Sequence, residues 1–266
     1  MTQVIADFKE MFLEQAQYRE LLYQMTKRDL LLRYKQTVMG AAWAVFMPLV
    51  NTAVFSVIFT RVAPIDTGMP YPLYAYCGLF TWNFFASSLR FAVNSLTSNP
   101  NLVTKVYFPR EIFPFSSALV SLVDLAVASL VLFAMMAWYR VPLTSAVVFL
   151  PAVLAVHILF TSGICLLLAM GNLFYRDVKY LFEIVITVWM FVTAVLYPTD
   201  MVSGRVGFLL KLNPVTPIID GYRAVLLRGH SPFTPAFDAA AVISVGVFVI
   251  AWLLFHRAEF QFAENI

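Results

Sequence analysis

Apolar residues in this chain do not alternate with polar ones; they run on without interruption. Residues 38–60 are 23 positions without a charge, and similar runs recur along the sequence. A hydrocarbon core about 30 Å thick takes roughly 20 apolar residues of helix to cross. The runs predict spans at 38–60, 73–98, 115–138, 144–172, 182–199 and 238–256. The expected fold is an all-α integral membrane protein with six transmembrane helices.

Three segments break this pattern. Residues 7–36 mix Phe8, Met11, Phe12, Leu21, Leu22 and Met25 with charges and contain no Gly or Pro. This predicts an amphipathic helix along the inner membrane surface, its basic residues toward anionic headgroups. A solvated helix without a partner is the alternative. Residues 99–114 carry Pro100, Pro109 and Pro114, which predict a broken, non-spanning loop. Residues 200–237 hold several glycines and prolines around short apolar stretches at 208–212 and 224–227. Those are too short to cross and read as re-entrant or interfacial helices at the outer face, between the fifth and sixth spans. The chain therefore divides into a cytoplasmic amphipathic interface helix, 1–37, and a six-helix transmembrane domain, 38–266.

The positions of Lys and Arg orient the chain. With the N-terminus inside, the inner segments hold Lys9, Arg19, Lys27, Arg28, Arg33, Lys35, Lys105, Arg110, Arg176, Lys179 and Arg257, against Arg61 and Arg140 in the short outer loops. The long outer segment 200–237, where the rule is less strict, holds Arg205, Lys211, Arg223 and Arg228. Both termini are expected in the cytoplasm. The leading segment of charged and aromatic residues does not fit a cleaved secretory signal.

Composition agrees with the pattern: 61% of residues are hydrophobic and 12% charged, where a soluble domain carries about 25% charge. Cys77 and Cys165 lie in apolar runs toward opposite faces and read as small core residues rather than a disulfide.

Enzyme chemistry is not apparent. None of the ten glycines begins a GxxxxGK[ST] phosphate loop, so the chain by itself is not expected to hydrolyse ATP. No pair of carboxylates converges as a glycan-assembly enzyme would need. His157, His230 and His256 are scattered, so no metal site is expected, and no cofactor or nucleic-acid partner is indicated. Two charges do lie inside predicted spans. Arg90 and Asp124 come to a similar depth, roughly 13 Å above the inner boundary at 1.5 Å per residue. An ion pair between them is expected, with a role in holding a polar substrate as the alternative. Glu183 lies near the inner end of its span, where it can snorkel. Aromatic residues make up 16% of the chain. Most suit helix packing or the membrane interface, and their faces also suit the C–H faces of sugars.

Several short motifs resemble a known family. Arg28-Asp29-Leu30, then Arg33-Tyr34-Lys35-Gln36-Thr37 with Gly40, Trp43 and Pro48, is similar to the N-terminal signature of type 2 ABC exporter permeases. The run Asn101-Leu102-Val103-Thr104-Lys105-Val106-Tyr107-Phe108-Pro109-Arg110-Glu111 resembles the Lys-Val-x-Phe-Pro-Arg stretch of the branch that exports O-antigen, capsular and teichoic polymers. Arg176-Asp177-Val178, Asn213-Pro214 and Tyr222-Arg223 match further family positions in order.

The resemblance implies a bacterial inner-membrane homodimer that works with two copies of a cytoplasmic ATPase, which would bind the ATP and Mg²⁺. It implies that Arg28, Arg33, Lys105, Phe108, Pro109, Arg110, Glu111, Arg176 and Asp177 couple to that ATPase. Trp43, Phe46, Phe55, Trp189 and Tyr197 would line the path of a lipid-linked polysaccharide, and Asn213, Pro214, Tyr222 and Arg223 would form an outer gate. A type 2 exporter of a drug or small glycolipid is the alternative, and a membrane enzyme of glycan assembly is a third reading.

Overall fold

The computed structural model describes residues 11–265 apart from Phe12, Gln36, Ser203, Arg205, Val206, Phe208, Leu209 and Lys211. Among them the chain is helical and turns, with no strand. In order come α1 (Arg19–Tyr34), α2 (Trp43–Val57), α3 (Tyr71–Ser95), the short α4 (Pro100–Lys105), α5 (Ile112–Trp138), α6 (Leu150–Phe174), α7 (Val178–Val192), α8 (Val215–Arg223), α9 (Pro235–Ala258) and α10 (Phe262–Asn265). Four stretches among the described residues are long and apolar enough to cross a bilayer: Trp43–Val62, Ile112–Trp138, Ser145–Phe174 and Pro235–Gln261.

α3 is the centre of the bundle. At 25 residues it is long enough to span, yet it carries Tyr, Thr, Asn and Ser on most sides. Lipid would not tolerate these groups, but α2, α5, α6, α7 and α8 pack around α3 and cover them. Tyr76 donates to the Ala128 carbonyl of α5, and Tyr71 to that of Leu196. Thr81 and Ser88 return their hydroxyls to carbonyls of their own helix. These polar groups of α3 are therefore satisfied inside the protein, as a low-dielectric setting requires, while the buried Tyr74 hydroxyl has no hydrogen-bond partner. α6 and α9 approach closely at Gly163, where a Cβ would lie 3.0 Å from the backbone of Phe248.

Two expectations need correction. The fifth apolar run does not form one helix over 182–199. α7 starts earlier, at Val178, and ends at Val192, where Thr193 turns extended (φ −105°, ψ 135°). Fifteen residues reach only about 22 Å. Apolar residues Ala194, Val195 and Leu196 follow the break, so hydropathy alone does not mark the point. In the outer segment, stretch 208–212 lies partly outside the described residues. Residues 224–227 are not an isolated piece: they continue α8 as a π turn over Ala224–Arg228, which Gly229 closes at φ 69°.

The N-terminal helix has a partner within the chain. α1 is docked along α5: Ser116 donates to Asp29 (2.6 Å), and Arg33 and Tyr34 both donate to Asp124. Asp124 is twelve residues into α5, about 18 Å along its axis, so the end of α1 meets α5 well inside its length. The alternative reading, a helix without a partner, is excluded by these contacts.

Candidate functional site

Three groups of polar side chains stand out against the apolar bundle. The first centres on Asp124. Its carboxylate takes Arg33 on one oxygen and the Tyr34 hydroxyl on the other, and the Arg33 guanidinium also lies 3.6 Å from the centre of the Phe91 ring. Burial, followed by the adjoining carboxylate, pushes the Tyr34 phenol up to about 12. Tyr34 therefore stays a donor. The expected Arg90–Asp124 pair does not form. Arg90 instead makes a loose, exposed contact with Glu183 of α7, at 3.4 Å. The depth argument placed Arg90 and Asp124 at one level, and both border the same cavity. It could not see that α1 brings a nearer cation.

Two polar cavities meet at this point. One of roughly 410 Å³ lies between α1, α3 and α5 and is bordered by Arg33, Arg90, Asn94, Ser98 and Ser117. A second of roughly 340 Å³ lies between α2, α3 and α5 and is bordered by Trp43, Asn51, Asn83, Ser87, Arg90 and Asp124. Arg33 borders only the first and Asp124 only the second, so their ion pair partitions the two, while Arg90 reaches both. Asparagines and serines stand in both walls, amid apolar surface that makes up most of the lining. Asn51 and Asn83 were visible as polar residues within predicted spans, but nothing in the sequence showed that they face one cavity.

The second group lies at the end of the bundle that carries α4. Phe108 and Pro109 are buried, while residues 104–107 are exposed, Tyr107 at 84%. Arg110 and Glu111, which the resemblance assigns to coupling with the ATPase, turn inward. The Arg110 guanidinium donates to the Val103 carbonyl (3.0 Å) and pairs with Glu259 (3.3 Å), and Glu111 is 1% exposed. The reason is local: Pro100 opens a turn of helix and Pro109 ends the extended part, which folds the loop back so that its last residues face α9. Arg28 pairs with neighbouring Asp29 at 2.8 Å. Arg176 and Asp177 are exposed in the turn between α6 and α7, at the same end of the bundle. Arg176 borders a further polar cavity with Asn94 and Asn265.

The third group locks the break after α7. Arg223 is wholly buried. Its guanidinium donates to the Ala194 carbonyl at 2.8 Å and to that of Val195, pairs with Asp220 at 3.1 Å, and lies 3.7 Å from the centre of the Tyr74 ring. Asn213 serves the same break: Nδ2 donates to Thr193 Oγ1 (2.7 Å), and Oδ1 accepts from Trp189 (3.1 Å) and from the Val215 amide (3.1 Å). Tyr222 faces His157, with 3.4 Å between hydroxyl and ring nitrogen, and Pro214 starts α8. Gly78 makes the close fit possible. A Cβ there would fall 2.2 Å from the Val195 carbonyl oxygen and 2.5 Å from the Arg223 guanidinium. Gly78→Ala is therefore expected to destabilise the chain by about 1–3 kcal/mol, seen as a lower midpoint of thermal unfolding in detergent. An unchanged midpoint would mean that the lock has slack.

The five aromatics expected along a path divide. Trp43 and Phe46 stand on an exposed face of α2, edge to face at 5.7 Å. Phe55 stacks on Phe59, and the Tyr197 hydroxyl donates to the Phe191 carbonyl. Trp189 turns inward onto Phe85, at 5.1 Å.

Comparison with known proteins follows the same lines. A family model described as ABC-2 type transporter matches residues 20–227. The chain is 29% identical over 254 residues to the O-antigen export system permease protein RfbA of Myxococcus xanthus, covering 94% of this chain and 96% of that protein. It is 26% identical over 249 residues to the protein of the same name from Klebsiella pneumoniae, covering 92% of this chain and 94% of that one.

Proposed function

The chain belongs to the ABC-2 type transporter family of membrane proteins, and on that premise we propose that it is the membrane subunit of an ATP-driven exporter moving an O-antigen-like, lipid-linked polysaccharide from the cytoplasm across the bacterial inner membrane. The observation that carries this reading is the end-to-end similarity to O-antigen export permeases. It is a transporter subunit and not an enzyme. ATP hydrolysis falls to a partner ATPase, in keeping with the missing phosphate loop.

The polymer explains the chemistry of the bundle. A hydrophilic chain cannot enter hydrocarbon without losing water at every hydroxyl, so its conduit needs neutral hydrogen-bonding side chains and aromatic faces at membrane depth. The asparagines and serines around Arg90 and the exposed pair Trp43 and Phe46 have that character. We read the topology as six crossings, with α3 and α7 joining the four apolar helices and both termini in the cytoplasm. α7 completes its crossing with non-helical backbone, which is tolerated where protein covers it and satisfies its carbonyls. The working unit is then two permeases with two ATPases. The exposed apolar faces of α2 and α7 suit the contact between permeases around the path.

On this reading the ATPase docks on residues 104–107 and on the turn at Arg176 and Asp177. Arg110 and Glu111 transmit the motion from within. The purified chain should show no ATPase activity, and it should support hydrolysis and export when reconstituted with the ATPase encoded beside it. Removing the gene should abolish surface polysaccharide while lipid-linked polymer accumulates inside; unaltered surface glycan would overturn the reading. Lys105→Glu combined with Tyr107→Ala should lower export at least several-fold. Folding should be nearly unaffected, since exposed substitutions typically cost under about 0.5 kcal/mol. Full export by that variant, with normal ATPase assembly, would move the docking surface elsewhere.

A further inference from the structure

The joint between the coupling segment and the end of α9 holds three side chains that polymer transport does not call for. Glu111 immediately precedes α5, His256 lies in the last turn of α9, and Glu259 begins the turn that follows. One ligand-capable atom from each lies within 4.8 Å of the others. His256 Nδ1 is 3.4 Å from Glu111 Oε1 and 3.9 Å from Glu259 Oε2, and it forms a hydrogen bond to neither. Ligands held about 2.0–2.2 Å from a tetrahedral ion stand about 3.4 Å apart. The observed separations approach that value.

A second observation concerns Glu111 alone. It is 1% exposed, and its Oε2 has no hydrogen-bond partner, a costly state for a buried carboxylate. Arg110 does not relieve it. The Arg110 backbone amide and guanidinium both go to Glu259 Oε1, at 3.0 and 3.3 Å. That leaves Glu259 Oε2 on the His256 side and orients the carboxylate, as partners of metal-binding carboxylates commonly do. A proton on His256 Nδ1 would face both carboxylates, at 3.4 and 3.9 Å, but its single hydrogen points to only one of them at a time. A metal ion accepts lone pairs from all three residues together.

We propose that Glu111, His256 and Glu259 form a binding site for a divalent transition-metal ion of the zinc class, which fastens the coupling segment to the C-terminal end of the chain. The imidazole nitrogen favours such an ion over Mg²⁺ or Ca²⁺, which prefer oxygen alone. The sequence reading expected no metal because the histidines are scattered; folding brings His256 against two acids remote from one another in the chain. The site does not depend on the nature of the exported polymer.

The test uses the full chain in detergent, with any affinity tag removed and metal stripped by chelator. Zn²⁺ is titrated calorimetrically, and Co²⁺ is added to a parallel sample for its visible spectrum. One ion per chain should bind at pH 7.5, with a Co²⁺ spectrum of low coordination number. Binding should be lost as the pH is lowered to 5.5, because protons compete for the same lone pairs. Glu111→Gln and His256→Gln should each weaken Zn²⁺ binding by more than the roughly 10–100-fold that loss of an outer-shell partner costs, while His230→Gln, at an exposed histidine, should leave it unchanged. Absence of Zn²⁺ uptake by the unmutated chain would overturn the proposal without recourse to any variant. Equal uptake by folded Glu111→Gln and His256→Gln chains would overturn it too.

Discussion

Arg223→Met should remove most of the folded protein from the membrane. The guanidinium is fully buried and is the donor for the carbonyls of Ala194 and Val195, at the point where α7 gives way to extended backbone. Its removal strands two acceptors in a low-dielectric interior and leaves Asp220 without its cation. Breaking a buried ion pair by taking away one partner costs about 3–5 kcal/mol, a large part of the stability of a whole domain. Methionine fills much of the volume, so the loss reports the polar contacts rather than a cavity. Arg223→Lys should recover only part of it, since a single ammonium cannot serve two carbonyls, Asp220 and the Tyr74 face in the way a planar fork does. The measurement is the amount of monodisperse protein after extraction, with its thermal midpoint. Wild-type yield and midpoint in Arg223→Met would show that the break after Val192 is held by something else.

Asp124 provides the second large effect. Asp124→Leu and Arg33→Leu should each destabilise the chain by about 3–5 kcal/mol, because each leaves an uncompensated charge between α1 and α5. The double variant should lose clearly less than the sum. Asp124→Leu combined with Arg90→Leu should be additive, as expected of residues with separate partners. Arg90 alone should cost little stability: it is about half exposed, and its contact with Glu183 is loose. Its loss should instead show in transport, through the two polar cavities that it borders. Coupling between Arg90 and Asp124, with none between Arg33 and Asp124, would reverse this assignment. Arg110→Glu belongs with these interior changes and not with surface ones. It places a third carboxylate beside Glu111 and Glu259, so lost export in that variant would report damage to the joint before it reported docking.

Length and apolarity alone determined that this chain is helical and built for lipid, because bilayer thickness sets how many apolar residues a crossing needs. They placed α2, α5, α6 and α9 to within a few residues. They also marked α3, although its tyrosines and serines make it the most polar of the long helices. The motifs around Lys105, Arg176 and Asn213 pointed to the right family because they are local in sequence. What they could not carry was direction. Arg110 and Glu111 read as residues of a non-spanning loop, yet the prolines around them fold the loop inward. Arg90 and Asp124 were matched by depth, which the rise per residue supplies, but pairing also needs a shared face, and that depends on how α1 leans on α5. The end of α7 is invisible in hydropathy, since apolar residues continue past it. Only packing decides it: Arg223 reaches across from α8 to take the freed carbonyls, and Gly78 leaves the space. Glu111 met His256 and Glu259 by the same route, through contacts between elements far apart in the chain. Spacing along a sequence encodes what each helix buries; which charges meet is settled only when the helices do.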